Sequence, residues 1–84
     1  MSYDADWTKP ALKALDKLDE DTRRRLVQAV DDYLNNKPVD IKKLKTRVDE
    51  WRIAVGEWRI FLEKDKKKQQ YRVLGIMNRK DAYR

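Results

Sequence analysis

The sequence predicts an α+β fold of order β-α-α-β-β-β: a small, mostly antiparallel sheet with a two-helix hairpin packed on one face. Three observations predict it. Between Thr8 and Leu34 the apolar residues recur at the spacing of a helix. From Trp51 to Leu62 they alternate every second position, the spacing of a strand. Between these regimes stands Asn35-Asn36-Lys37-Pro38, which suits a helix end because proline cannot continue one.

Each element has its own signal. In "SYDADW", Tyr3, Ala5 and Trp7 alternate with Ser2, Asp4 and Asp6, as in a short strand with one wet face. Thr8 is placed to cap the first helix, and Pro10 falls in its first turn, where a missing N–H costs nothing. Ala11, Leu12, Leu15 and Leu18 form its stripe, and Asp19 or Asp21 caps a second helix striped by Leu26, Val27, Val30, Tyr33 and Leu34. Residues 39–50 read as a basic connector anchored by Leu44. Two strands then flank a tight turn at Gly56-Glu57, with Trp51, Ile53 and Val55 opposing Arg52 and Ala54, and Trp58, Ile60 and Leu62 opposing Arg59, Phe61 and Glu63. "KDKKK" makes a second turn. "QQYRVLGIM" is apolar on both faces, which places it centrally in the sheet.

Residues 1–84 suit one small domain with a thin core. Of these residues 43% are charged, yet three Trp, four Tyr and one Phe supply enough apolar surface to fold. The chain has no cysteine and no histidine, which excludes disulfides, thiolate zinc sites, cysteine nucleophiles and Ser-His-Asp chemistry. No apolar run reaches signal-peptide or membrane length, so a soluble, cytoplasmic protein is expected. The charge is lopsided. Residues 1–40 hold seven Lys/Arg against nine Asp/Glu, whereas residues 41–84 hold fourteen against six, a net of +8. A basic half of this kind favours a polyanionic partner, nucleic acid first.

Four segments, in order, resemble the RelE/ParE superfamily of toxins from toxin–antitoxin pairs. They are "WTKPALKALDKL" (Trp7 to Leu18), the connector at Leu44, "WRIAVGEWRI" (Trp51 to Ile60) and "IMNRKDAYR" (Ile76 to Arg84). The third is similar to the family's W-R-x-R-x-G-D-Y-R hairpin and the fourth to its closing h-R-x-x-x-Y. The resemblance covers essentially the whole chain, and the fold it implies agrees with the one above. It also implies function. The RelE branch cleaves mRNA in the ribosomal A site without a metal or other cofactor, whereas the ParE branch binds and inhibits DNA gyrase.

Metal-free RNA cleavage requires that a 2′-hydroxyl lose its proton, that the pentavalent phosphate be stabilised, and that the leaving 5′-oxygen be protonated. Guanidinium groups suit the second task, because they stay charged and grip two phosphate oxygens at once. By the resemblance, Arg59 lies near the scissile phosphate, Arg79 binds phosphate or the transition state, and Arg52 is an electrostatic partner. Tyr83 stacks on a base, orients the 2′-hydroxyl or acts as general base; the last role requires a pKa below the usual 10 or so, which neighbouring arginines favour. Lys80 is a proton donor or a phosphate contact. Lys43, Lys45, Arg47 and Arg84 complete the expected RNA-binding set. The C-terminal residues would fold back over the polar face of the sheet and finish the site. The partners implied are a cognate antitoxin, mRNA in the A site and rRNA, with no membrane and no small-molecule cofactor.

Two positions depart from the family. Ala54 stands where many relatives have a second Lys or Arg, and Asn78 where many have His. An amide cannot shuttle protons at neutral pH. A ParE-like gyrase binder, or a chain that binds only its antitoxin, therefore stays open beside the ribonuclease. Elsewhere, Trp7, Trp51 and Trp58 read as core. Lys64 to Lys68 read as a solvated turn or an rRNA contact, and Arg23, Arg24 and Arg25 as a partner surface or a solvated face.

Overall fold

The structure is a computed structural model and describes residues 3–44 and 49–82. It opens with β1 (Asp4–Trp7), α1 (Lys9–Asp16) and α2 (Glu20–Leu34). β2 (Asp40–Lys43), β3 (Glu50–Val55), β4 (Trp58–Asp65) and β5 (Gln70–Asn78) follow, and a single turn of helix, α3 (Arg79–Ala82), comes last. The strands form one sheet in the order β1-β5-β4-β3-β2; β1 runs parallel to β5 and every other pair is antiparallel. The α+β class holds, with a helix pair and a mostly antiparallel sheet.

One strand is additional to the sequence reading. Asp40–Lys43, read as part of a connector, is an edge strand on β3, with Ile41 opposite Ile53 and Lys42 opposite Arg52. Its own composition could not reveal it, since three of its four residues are charged. Backbone pairing to β3 makes it a strand, and charge on an edge strand also discourages unwanted pairing. Val39 and Ile41, rather than Leu44, are the hydrophobic residues of this stretch that pack against the core.

The helices follow their signals with two corrections. Thr8 occupies the cap position of α1, but its hydroxyl does not cap the helix. Oγ1 instead donates to the Val73 carbonyl at 2.7 Å, strapping the start of α1 to β5. Leu12 is 47% exposed, because α1 turns only the line through Ala11 and Leu15 inward. Asp19 caps α2 by accepting the Thr22 backbone N–H at 3.3 Å. Hydrogen bonds from Thr22 hold its carboxyl below the ordinary range. Asn35 ends α2, and Asn36 takes the left-handed backbone (φ 62°) that asparagine tolerates.

Leu26, Val30, Ile53, Ile60, Leu62 and Val73 are wholly buried between the helices and the sheet. All three tryptophans are half-buried against this core. Gly56 permits the β3–β4 turn with φ 58°. β5 lies inside the sheet, between β1 and β4, and carries one irregularity: Phe61 pairs with Gly75 but Leu62 with Val73, which leaves Leu74 as an extra residue. The bulge reverses side-chain parity, so Tyr71, Val73 and Ile76 all turn toward the core. A strand whose sequence is apolar on both faces thus presents only part of its apolar set outward. Among the described residues, no helix is long and apolar enough to cross a membrane.

Candidate functional site

The face of the sheet away from the buried core is assembled row by row from the cross-strand register. One row runs Lys42, Arg52, Phe61, Gly75; the next runs Asp40, Ala54, Arg59, Met77. Their neighbours on each strand, Ile53, Ile60 and Ile76, belong to the core side, so strand alternation turns these two rows outward. Arg52 and Arg59, which the sequence assigns to one face, do share it.

The Arg59 guanidinium lies over its own hairpin. Nη1 donates to the Gly56 carbonyl and to the Trp58 carbonyl, each at 2.8 Å. Two acceptors on one nitrogen fix the plane of the group, which a lysine ammonium could not reproduce. The same hairpin turn receives the chain's last helix, because the Arg79 backbone N–H donates to the Glu57 carbonyl. Asn78 Oδ1 accepts the Lys80 backbone N–H at 3.1 Å and so caps α3. Glu57, Asn78, Arg79 and Lys80 line a hollow of about 330 Å³ at this end of the sheet. A carboxylate, an amide, a guanidinium and an ammonium therefore sit together next to the turn that Arg59 clamps.

The expected site residues are distributed unevenly. Arg52 and Arg59 are half-buried on the outward face; Arg79 and Lys80 are exposed beside the turn. Lys43 lies opposite Trp51 on the other side of β2, with Nζ 5.7 Å from the centroid of the Trp51 ring. The residue that accompanies Arg52 is Lys42, one position earlier. Tyr83, Lys45, Arg47 and Arg84 fall outside the described residues. Sequence reasoning missed Lys42 and Phe61 as site neighbours. Strand parity across a β2–β3 pair would have exposed Lys42, but β2 itself was illegible.

The opposite end of the outward face is charge-compensated. Arg72 meets Glu63 at 3.4 Å, Asp65 at 3.8 Å and Asp6 at 4.0 Å. Glu63, a strand carboxylate within reach in sequence of the candidate arginines, is thereby held at the far end of the sheet. Toward the hairpin turn lie Arg52, Arg59 and Arg79, whose guanidinium groups are of the kind that grips a phosphate.

A family model described as the ParE toxin of the type II toxin–antitoxin system parDE matches residues 5–83. Among solved structures, the RelB–RelE antitoxin–toxin complex from Methanococcus jannaschii is similar, with a TM-score of 0.78 and 26% identity over 93% of this chain and 94% of that one. The archaeal RelE–RelB complex from Pyrococcus horikoshii has a TM-score of 0.76 at 24% identity, covering 94% of this chain and 97% of that one. The isolated RelE toxin of Escherichia coli has a TM-score of 0.79 at 22% identity, covering 92% and 84%. These last two likenesses concern the fold alone. No curated protein sequence matches the chain. With nearly its whole length matched by the family model and its fold shared with RelE toxins, the chain belongs to the ParE toxin family of type II toxin–antitoxin systems, within the RelE/ParE superfamily.

Proposed function

We propose that this toxin is RelE-like in action: a metal-independent endoribonuclease that cuts mRNA held in the ribosomal A site and so inhibits translation. The observation that carries the proposal is the common placement of Arg52 and Arg59 on the outward face, with Arg79 secured to the same hairpin turn. In the reaction the 2′-oxygen attacks the adjacent phosphorus. A P–O2′ bond forms as the P–O5′ bond breaks, leaving a 2′,3′-cyclic phosphate and a 5′-hydroxyl. Arg59 and Arg79 stabilise the charge that accumulates on the phosphoryl oxygens, usually the largest catalytic contribution. Arg52 adds electrostatic attraction; a guanidinium already carries its proton and offers no lone pair to accept another. Tyr83 is assigned to the 2′-hydroxyl, as acceptor of its proton or as the group that orients it, and Lys80 to the leaving oxygen. The ribosome supplies substrate orientation. Lys45, Arg47 and Arg84 extend the phosphate contacts.

The partner proposed for control is a cognate antitoxin, in keeping with the RelB-bound state of the archaeal relatives. Residues 1–84 act as one toxin domain in this proposal, and the site of action is the cytoplasm.

A second reading, ParE-like inhibition of DNA gyrase without chemistry, is favoured by two observations. The matching family model is that of ParE toxins. Asn78, at the position where many RelE relatives have His, is used as a helix cap rather than as a proton carrier. Induction of wild type, Arg59→Ala and Tyr83→Ala in growing cells, with primer extension on mRNA, separates the two. Codon-phased cuts that both substitutions abolish are expected. Intact mRNA together with trapped gyrase–DNA complexes would overturn the ribonuclease in favour of the binder.

A further inference from the structure

A second hollow, of about 460 Å³, opens on the outward face beside the arginine rows. Phe61, Gly75 and Met77 line it from the sheet, Pro10 and Ala14 from α1, and Leu44 from just beyond β2. Gly75 is the informative residue. Its φ lies outside the left-handed region, and a Cβ built on it meets no atom within 4 Å. Neither backbone conformation nor crowding therefore requires glycine there. Glycine weakens a strand interior and marks either a bulge, such as the one at the neighbouring Leu74, or a place that something else approaches closely. The empty space faces the ring of Phe61, its cross-strand partner, and Phe61 in turn faces Arg52.

We infer that this hollow takes one nucleobase of the RNA, stacked on Phe61 over Gly75, with the adjoining phosphate on Arg52 and Lys42. The inference rests on the RNA-directed reading above and names the part of the substrate that it leaves unplaced. Charge sets the orientation. Arg52 and Lys42 lie in the row that leads away from Gly75 toward the sheet edge. A neutral, flat, apolar group belongs inside and its phosphate outside, an arrangement of aromatic platform and flanking cations that single-stranded RNA binders use. The volume lies within the range of small-ligand pockets.

The test is fluorescence anisotropy with a labelled single-stranded RNA hexamer, compared with hexamers carrying an abasic ribose at each position in turn. Wild type is expected to lose affinity at one position, by roughly 5- to 150-fold, the range for loss of one stacked base. In Gly75→Leu, which fills the hollow, and in Phe61→Leu, which removes the ring, that penalty should disappear while the salt dependence of binding persists. Gly75→Leu should melt no lower than wild type; if it fails to fold, Phe61→Leu carries the comparison. A penalty that survives in both variants, or no position-specific penalty in wild type, overturns the subsite. So does a Gly75→Leu protein that loses co-expressed antitoxin but keeps the penalty, because the hollow then belongs to a protein partner. If wild type shows no salt-dependent RNA binding at all and Arg59→Ala leaves toxicity intact, the ribonuclease reading itself fails, a result distinct from the others.

Discussion

Arg59 Nη1 donates to the Gly56 carbonyl over 2.8 Å, so the candidate phosphate-binding arginine also braces the turn that precedes it. Structural and functional roles are thus joined in one side chain, and substitutions can separate them. Arg59→Ala should lower RNA cleavage by about 100- to 1,000-fold, the usual loss when one preorganised donor to a transition state is removed. Loss of its hydrogen bonds to the turn should cost about 1 kcal/mol of stability. Arg59→Lys keeps the charge but not the planar fork, and should fall between the two. Cleavage kinetics on ribosome-bound mRNA, paired with urea denaturation, measure both effects. Equal activity of Ala and wild type would remove Arg59 from the site.

Asn78 caps the last helix through the Lys80 N–H. Asn78→Ala should speed amide exchange at Lys80, reflecting a loss of about 0.5–2 kcal/mol, whereas Asn78→Asp should preserve protection because both side chains cap well. Hydrogen exchange followed by NMR resolves this one amide. Unchanged exchange in Asn78→Ala would mean that the cap contributes nothing to holding Arg79 and Lys80 in place.

Tyr71 stacks edge-on to Tyr33 with their hydroxyls 2.8 Å apart, and is 6% exposed. Burial first, and the Tyr33 hydrogen bond second, push its phenol well above the ordinary tyrosine range. The folded protein therefore holds this proton after the unfolded chain has released it. Its contribution to stability is complete below about pH 10, the unfolded value, and is lost as pH rises from there toward the folded value. Denaturation midpoints should fall more steeply as pH rises above about 10 in wild type than in Tyr71→Phe. Parallel profiles would show that another group governs alkaline unfolding.

Arg72 faces Glu63, Asp65 and Asp6 at the end of the sheet remote from the hairpin turn. All four side chains are partly exposed, so each pair contributes little, within about 0–1 kcal/mol. Arg72→Ala should reduce stability by about 1 kcal/mol, more in low salt than in high, because three carboxylates then lose their common counter-charge. Cleavage should be unchanged. A cleavage defect with normal stability would extend the functional surface along the whole outward face.

Much of the fold was legible because local chemistry and tertiary structure agree. Asp19, Asn35 and Pro38 delimit α2 through their own backbone preferences, and the alternation about Gly56 specifies both a hairpin and which residues share a side. Arg52 and Arg59 could therefore be placed on one face from spacing alone. Where local signals were silent, the reading fell short. Asp40–Lys43 is a strand by virtue of β3, the Thr8 hydroxyl serves β5 rather than its own helix, and Lys42 rather than Lys43 joins Arg52.

The sequence by itself determined the α+β class, the helix ends, the hairpin, the basic C-terminal half and the family resemblance, since each depends on residue type and short-range periodicity. Tertiary structure alone decided that an edge strand brings Lys42 to the arginines, that Asn78 caps α3 and that Arg79 is tied to Glu57. It also decided that the Leu74 bulge turns Ile76 inward while Gly75 is left opposite Phe61. Those outcomes depend on which backbones pair and on where a one-residue irregularity reverses parity. Such facts join residues distant in the chain, and no local pattern encodes them.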